Sequence, residues 1–450
     1  STPGIEKERL EELVRALCTV ETAGRLAGSP GFRVAADVVV GELERMGVKP
    51  GVGGGYLQSV PLVQWSVRQG IAGPVIPRMI ITTTSGEELT FHCGSDFEMV
   101  LGSVGIPPQS RSWSVVVVDS PEEWPAKADP DAALVITSGI PLGDRGMMFE
   151  RMGQIPEDWG IYLQLRSPRP RPERSAPKPF TTLVYEGVDP GDSLILNGAA
   201  RRPFGTRTAA SVRLEVEWVR EEKPCFNVVG VIPGAGSLLN PDLASEVVVL
   251  MAHLDQLGTK PKGANSNNDT TYDGADNNAS GVAALLEVAE ALVAEPQGRT
   301  TLLLFPTGEE QGQLGVQHQL REPSLPLAKT RVAIEVFALG SPDSMLPVPG
   351  ALWCTSYMDT SVGQGLQMSD LPVYMDQRPR WNYTYRSSSN RYTQAGIIGH
   401  RLSSYGSHKL LNTAKDEPRS LDFDHLTLAT KTLLGAAQVL TSGEIEILRH

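Results

Sequence analysis

The residues of this chain best placed to do chemistry are a histidine, two aspartates and a glutamate pair spread over positions 253 to 310. The apolar run SEVVVLMAH ends in His253, and a strand of that composition is buried on both faces and opens at its carboxyl end onto a crevice. Asp255 lies two residues on. In an extended segment it shares a face with His253 and can accept the second imidazole N–H, leaving the other ring nitrogen for a metal. Asp276 falls in a loop of Gly, Asp, Asn and Ser just ahead of the helical pattern VAALLEVAEALVA, for which Asn277, Asn278 and Ser280 are capping candidates. RTTLLLFPTGEE predicts a second buried strand that delivers Glu309 and Glu310 together. Adjacent residues on a turn point different ways, so one carboxylate can hold a metal while the other takes a proton from water. Strand ends and loops carrying His, Asp and a Glu pair in this order suit metal-assisted hydrolysis with two ions.

Three segments carry a resemblance to a known family: His253-Leu254-Asp255, Gly274 to Gly281 (GADNNASG), and Glu309 to Gly315 (EEQGQLG). They resemble the motifs of the M28 family of zinc peptidases, the co-catalytic aminopeptidases and their relatives. The resemblance implies that His253 binds one zinc, Asp276 bridges both, Glu310 is a further ligand, and Glu309 is the general base. Downstream the family offers an Asp at a strand end. RVAIEVFALGS places Glu335 there, a competent zinc ligand with one more methylene.

The family's last ligand is a His just before a segment resembling Thr-Pro-x-Asp-Thr-Pro-x-x-Leu-Asp. Here the chain reads SYGSHKLLNTAKDEPRSLDFDHL. A strict count puts Asn412 at the His position, whereas a short local insertion lets His408 serve. His408 is the expected ligand, ahead of His400 and His425. Ser387-Ser388-Ser389 stands where relatives often have a Ser-Asp-His-like triplet, so both departures fall on one half of the site and leave open the loss of one metal. Two zinc ions per chain are expected. Asp276, Glu310, Glu335 and a bridging hydroxide would balance their four positive charges, and Tyr385, Tyr392 or Tyr405 could donate to the oxyanion.

The elements that must position these residues are legible. Within 450 residues, 40% hydrophobic and 20% charged, two or three domains with a sizeable core are expected. IEKERLEELVRALCTVETAG and GFRVAADVVVGELERMGVKP have helical periodicity, and LTLATKTLLGAAQVLTSG is a closing helix. GRLAGSPG, between the first two helices, resembles the opening of many M28 chains. From about Ile76 to Arg202 short β-rich runs such as WSVVVVDS and AALVITSG alternate with Pro and Gly, and RSPRPRPERSAPKP is a basic, proline-rich connection. SVRLEVEWV and PCFNVVGVIPG read as strands leading into the catalytic motifs. Strands alternating with helices argue for an α/β fold. The resemblance makes it a three-layer sandwich with a central mixed sheet, divided as 1–75 (helices and start of the peptidase domain), 76–205 (a β-rich insertion resembling a protease-associated domain) and 206–450 (catalytic domain).

A net charge of −12 without basic clusters argues against nucleic-acid binding, and no apolar run is long enough for a membrane span. Cys18, Cys93, Cys225 and Cys354 lack any Cys-x-x-Cys spacing. Resemblance to a mostly exported family makes a periplasmic or secreted enzyme the expectation. DQRPRWNYTYRSSSNRY, residues 376 to 392, brings Trp381, Tyr385, Arg386 and Tyr392 together, either as an exposed aromatic loop or as a substrate-binding lid. The expected function is a zinc-dependent exopeptidase, an aminopeptidase acting on peptide or aminoacyl substrates. Spare Glu and Arg leave a carboxypeptidase or dipeptidase open, and a one-zinc transferase resembling glutaminyl cyclase is the alternative of different chemistry.

Overall fold

The computed structural model describes residues 4–450 except 71–72, 75, 94, 106–110, 121–122, 137–160, 166–180, 186–190, 197, 261–269 and 407. The chain divides into two compact units, residues 1–60 with 224–450, and residues 61–223. The second unit is wider than the insertion expected at 76–205. Its own sheet includes the strand Ala209–Glu215, which pairs with Arg78–Thr83 and Arg111–Val118. Val212 and Leu214 of that strand pack with Met79, Ile81 and Trp113, so the segment read as leading into the catalytic motifs belongs to this core. The expected proline-rich loop lies outside the described residues.

The first unit is a mixed sheet with helices on both faces. Val247–Met251, Thr300–Phe305, Thr330–Phe337 and Ile398–Ser403 run parallel, in the order 300–305, 247–251, 330–337, 398–403. Residues 228–232 pair antiparallel with 301–305, outside the first of these. Side chains alternate across the sheet as strand geometry requires. Val248 and Leu250 enter one core with the helices Lys7–Leu17, Pro30–Met46, Ser280–Ala294 and Phe423–Ser442. Val247, Val249 and Met251 enter the other, with Val316 and Tyr392. This is the three-layer α/β sandwich expected. Ser280–Ala294 is apolar nearly all round and buried for most of its length, as a helix against both sheet and neighbouring helices must be.

One buried charge ties the first helix to the motif loops, and one buried carboxyl makes stability depend on pH. Arg25, 1% exposed, donates to the backbone oxygens of Leu254 (2.8 Å), Leu17 (2.6 Å), Asp273 (2.6 Å) and Gly274 (3.0 Å), joining the first helix to the loops carrying the motifs. Removing it strands those acceptors out of water, so Arg25→Ala should cost about 3 kcal/mol or more in urea unfolding; an unchanged midpoint would contradict that role. Glu287, with a side chain 7% exposed beside Arg9, has its carboxyl pushed up to about 7 by burial and then by Glu290. Its folded-state value lies above the ordinary 4.5, so the stability it contributes is full below pH 4.5 and is lost as pH rises through about 7. Glu287→Gln should therefore raise Tm relative to the natural chain at about pH 8 and change it little at about pH 4.5. A Tm difference independent of pH would be the contrary result.

Candidate active site

The candidate residues gather at the carboxyl ends of the parallel strands. His253 follows Val247–Met251 by two residues, Glu309 and Glu310 follow Thr300–Phe305, and Glu335 lies near the end of Thr330–Phe337. On the neighbouring strand Arg401 is the register partner of Glu335. The loop before the helix Ser280–Ala294 is held by two close approaches that only glycine allows. A Cβ on Gly274, whose φ is +57°, would sit 2.3 Å from the Asn277 carbonyl oxygen, and one on Gly281 would sit 2.3 Å from Asn278 Oδ1. Asn278 stitches this loop to the strand beside it, donating to Val336 O at 2.9 Å and accepting from Ala338 N at 3.0 Å. The Asp416 carboxylate accepts from the backbone N–H groups of Asp276 (2.7 Å) and Asn277 (3.0 Å), and burial pushes its pKa up to about 7.

That scaffold puts Asn277 at the centre. Its Nδ2 donates to Glu310 Oε1 (3.0 Å) and to Asn412 Oδ1 (2.8 Å), and its Oδ1 lies 3.0 Å from His253 Nε2. His253 Nδ1 lies 3.1 Å from the Asp255 backbone oxygen, and burial lowers the imidazole pKa to about 3, so the ring is neutral and donates through one nitrogen. Glu309 is buried and accepts from the Ser388 hydroxyl, with Arg401 Nη2 4.0 Å away. Burial, then the neighbouring Glu335, raise its pKa well above the usual carboxylate range. Burial also raises the Glu310 carboxyl.

A cleft of about 530 Å³ opens over these groups, lined by His253, Asn277, Glu309, Glu310, Arg401 and Asn412 together with Phe337, Trp381, Tyr383, Arg386 and Tyr405. Its wall is a run of aromatic contacts, Trp381 to Tyr383 (5.9 Å), Tyr383 to Tyr405 (6.2 Å), Tyr405 to Phe337 (6.3 Å) and Phe337 to His253 (6.1 Å).

Several expected site residues stand elsewhere. Asp276 does not bridge toward Glu310. Its carboxylate accepts from Gly340 N (2.7 Å), Ser280 Oγ (3.1 Å) and His408 Nε2 (2.7 Å), an anion at the start of a helix where the dipole favours it. His408 is thereby held by Asp276, and that bond raises its pKa. Of the two candidates in that segment, it is Asn412 that reaches the centre. The Asp255 carboxylate accepts from the backbone N–H of Glu309 (3.1 Å) and Glu310 (3.4 Å), so it shapes the glutamate turn, while the His253 ring faces its carbonyl. Glu335 accepts from Arg401 Nη2 (2.6 Å) and Ser389 N (3.1 Å). Tyr385 is 74% exposed and Tyr392 is wholly buried in the core beneath the sheet, which leaves Arg386 as the member of that trio in the cleft. His400 and His425 are bound in other places, to Thr355 and Thr360 and to Gly350.

A model of peptidase family M28 matches residues 227–437, which hold every residue of this centre. These residues form an M28 peptidase domain. By class this makes the chain a peptide-bond hydrolase, and zinc is the metal of the family's aminopeptidases. No curated protein matches its sequence. Among solved structures the chain is similar in fold to an aminopeptidase from Aneurinibacillus sp. strain AM-1, with 13% identity, 97% of this chain and 94% of that chain covered, and a TM-score of 0.56. It is also similar to a zinc aminopeptidase from Bacillus subtilis, at 12% identity, 99% and 98% coverage, and a TM-score of 0.52.

The side chains present in this M28 domain do not fit a pair of zinc ions. Two ions need several anionic ligands, and here one carboxylate, Glu310, meets His253 around a neutral carboxamide, while Glu335 is neutralised by Arg401. Among the described residues no three His, Cys, Asp or Glu side chains are grouped to hold a metal ion. No helix among them is long and apolar enough to cross a membrane. Asp255→Asn would set an amide against one of the two turn N–H groups and should cost about 1–3 kcal/mol in urea unfolding. An unchanged midpoint would remove Asp255 from its place under the glutamate turn.

Proposed function

We propose that the cleft takes the free amino end of a peptide and that the chain is an aminopeptidase, with Glu309 as the general base. The observation that carries this is the pair of carboxyl groups on the cleft floor, each met by a neutral donor: Ser388 at Glu309 and Asn277 at Glu310. An incoming ammonium would meet Glu310, and its charge would draw that carboxyl toward the ionised form. Glu309 would take a proton from a water as the water oxygen bonds to the scissile carbonyl carbon, then hand that proton to the leaving nitrogen as the C–N bond breaks. The aromatic wall from Trp381 to Phe337 would hold the side chain of the terminal residue, and Tyr383 and Tyr405 belong to it. No step is assigned to zinc, because the ligands here do not assemble a centre for it.

Arg386 in the same cleft favours a second reading, recognition of a free carboxylate by a carboxypeptidase or dipeptidase. The place of the β-rich unit along the chain, residues 61–223 between the two stretches of the first unit, supports reading it as a protease-associated insertion, and the family's habit supports export. Hydrolysis of a matched set of peptides, free or blocked at either end, separates the readings. Amino-blocked peptides should be inert and carboxyl-blocked ones cleaved. Glu309→Gln should lower kcat by about 10²-fold to 10⁴-fold with little change in KM. Full activity in that variant would remove Glu309 as the base, and cleavage of amino-blocked peptides alone would transfer the proposal to the carboxypeptidase.

A further inference from the structure

We infer that this chain works its cleft without a metal: Asn277, Asn412 and Arg401 stand where a zinc centre would be, and Arg401 with Tyr383 binds the substrate carbonyl oxygen. The inference deepens the aminopeptidase reading and rests on it for the identity of the substrate. Three observations carry it. First, the group that touches His253, Glu310 and Asn412 together is the Asn277 carboxamide, which uses both of its polar atoms on them. A metal in their midst would have to displace that network, and it would gain one carboxylate, one imidazole and two neutral carboxamides in return, a single negative charge against two positive ones.

Second, the side of the site that should offer Glu335 to an ion already holds a cation. Arg401 is fixed beside Glu335 by strand register, bonds it at 2.6 Å, stands 4.0 Å from Glu309, and lies 4.3 Å over the Phe337 ring. A guanidinium is always charged, so a divalent ion beside it would meet direct repulsion. Third, two donors among the residues lining the cleft are buried with no partner among the described residues. These are Arg401 Nε and Tyr383 Oη. Native structures rarely leave such groups unmet, and an oxygen acceptor on a ligand that reaches them would satisfy them. A peptide carbonyl fits: as water attacks its carbon, negative charge gathers on the oxygen, and fixed donors with a nearby positive charge stabilise it. The polarising role given to zinc in the family falls here to Arg401.

The test uses the full chain. Purified protein is dialysed against zinc chloride and then metal-free buffer, its zinc measured by elemental analysis, and its Tm and peptide hydrolysis followed with and without a chelator. The expected result is less than about 0.1 zinc per chain and no shift of Tm with zinc, since only a ligand that binds the folded state raises it. Cleavage should also be indifferent to the chelator. The double variant Asn277→Asp with Asn412→His supplies a carboxylate and an imidazole at the centre and should retain more zinc than the natural chain. Tyr383→Phe, which keeps the ring contacts, should lower kcat by about 100-fold. Stoichiometric zinc in the natural chain, with cleavage lost to chelator and recovered with zinc, would overturn the inference and leave the aminopeptidase reading standing. No zinc and no cleavage of any peptide would uphold the metal-free centre and overturn the hydrolytic reading. Full kcat in Tyr383→Phe would overturn its part in binding the carbonyl.

Discussion

Everything in the cleft is arranged around one neutral group, the carboxamide of Asn277. Three partners converge on it, a histidine, a glutamate and an asparagine, and its two polar atoms serve them all. Because the group carries no net charge, it can sit between an imidazole held neutral by burial and a glutamate without an ion to bind them. A carboxylate in the same place would set negative charge against Glu310 and require a cation. The choice of Asn over Asp at this position therefore decides what the rest of the site can be.

The fold supplies the precision that such a network needs. Asp416 fixes the Asn277 backbone, Asn278 laces the loop to the adjoining strand, and Asp255 holds the glutamate turn. Arg25 anchors the same loops from below through four backbone oxygens. These contacts come from segments distant in sequence, and they meet because parallel strands bring their carboxyl ends to one edge of the sheet. Arg401 follows the same logic. The register that aligns two buried strands sets it opposite Glu335, and burial makes their ion pair obligatory, since either charge alone would be left uncompensated.

Much of this was legible in the sequence, and what was not has physical causes. Continuous apolar runs announced the strands at 247–251 and 300–305, helical spacing announced the helices at 30–46 and 423–442, and the motifs placed His253, Glu309 and Glu310 at strand ends. Position within a motif was harder. Asp276 and Asn277 are adjacent, so spacing alone could not say which side chain faces the cleft, and chemistry favoured the carboxylate. The helix start claimed that carboxylate instead. A strict count already pointed to Asn412, and the preference for a histidine drew attention to His408 four residues earlier. Arg401 left no local sign: it lies in a short buried strand, and only the pairing of that strand reveals its partner. The wider extent of the second unit escaped notice for the same reason, because the strand at 209–215 reads identically whichever sheet it joins.

The presence or absence of metal at Asn277 is the point on which the chemistry turns. Diffraction at the zinc absorption edge from crystals of the full chain grown with zinc would answer it directly. No anomalous peak among His253, Asn277, Glu310 and Glu335, with the Asn277 amide in contact with Glu310 and Asn412 and Arg401 paired to Glu335, is the predicted result. One or two strong peaks bridging His253, Glu310 and Glu335, with Arg401 swung aside, would contradict it.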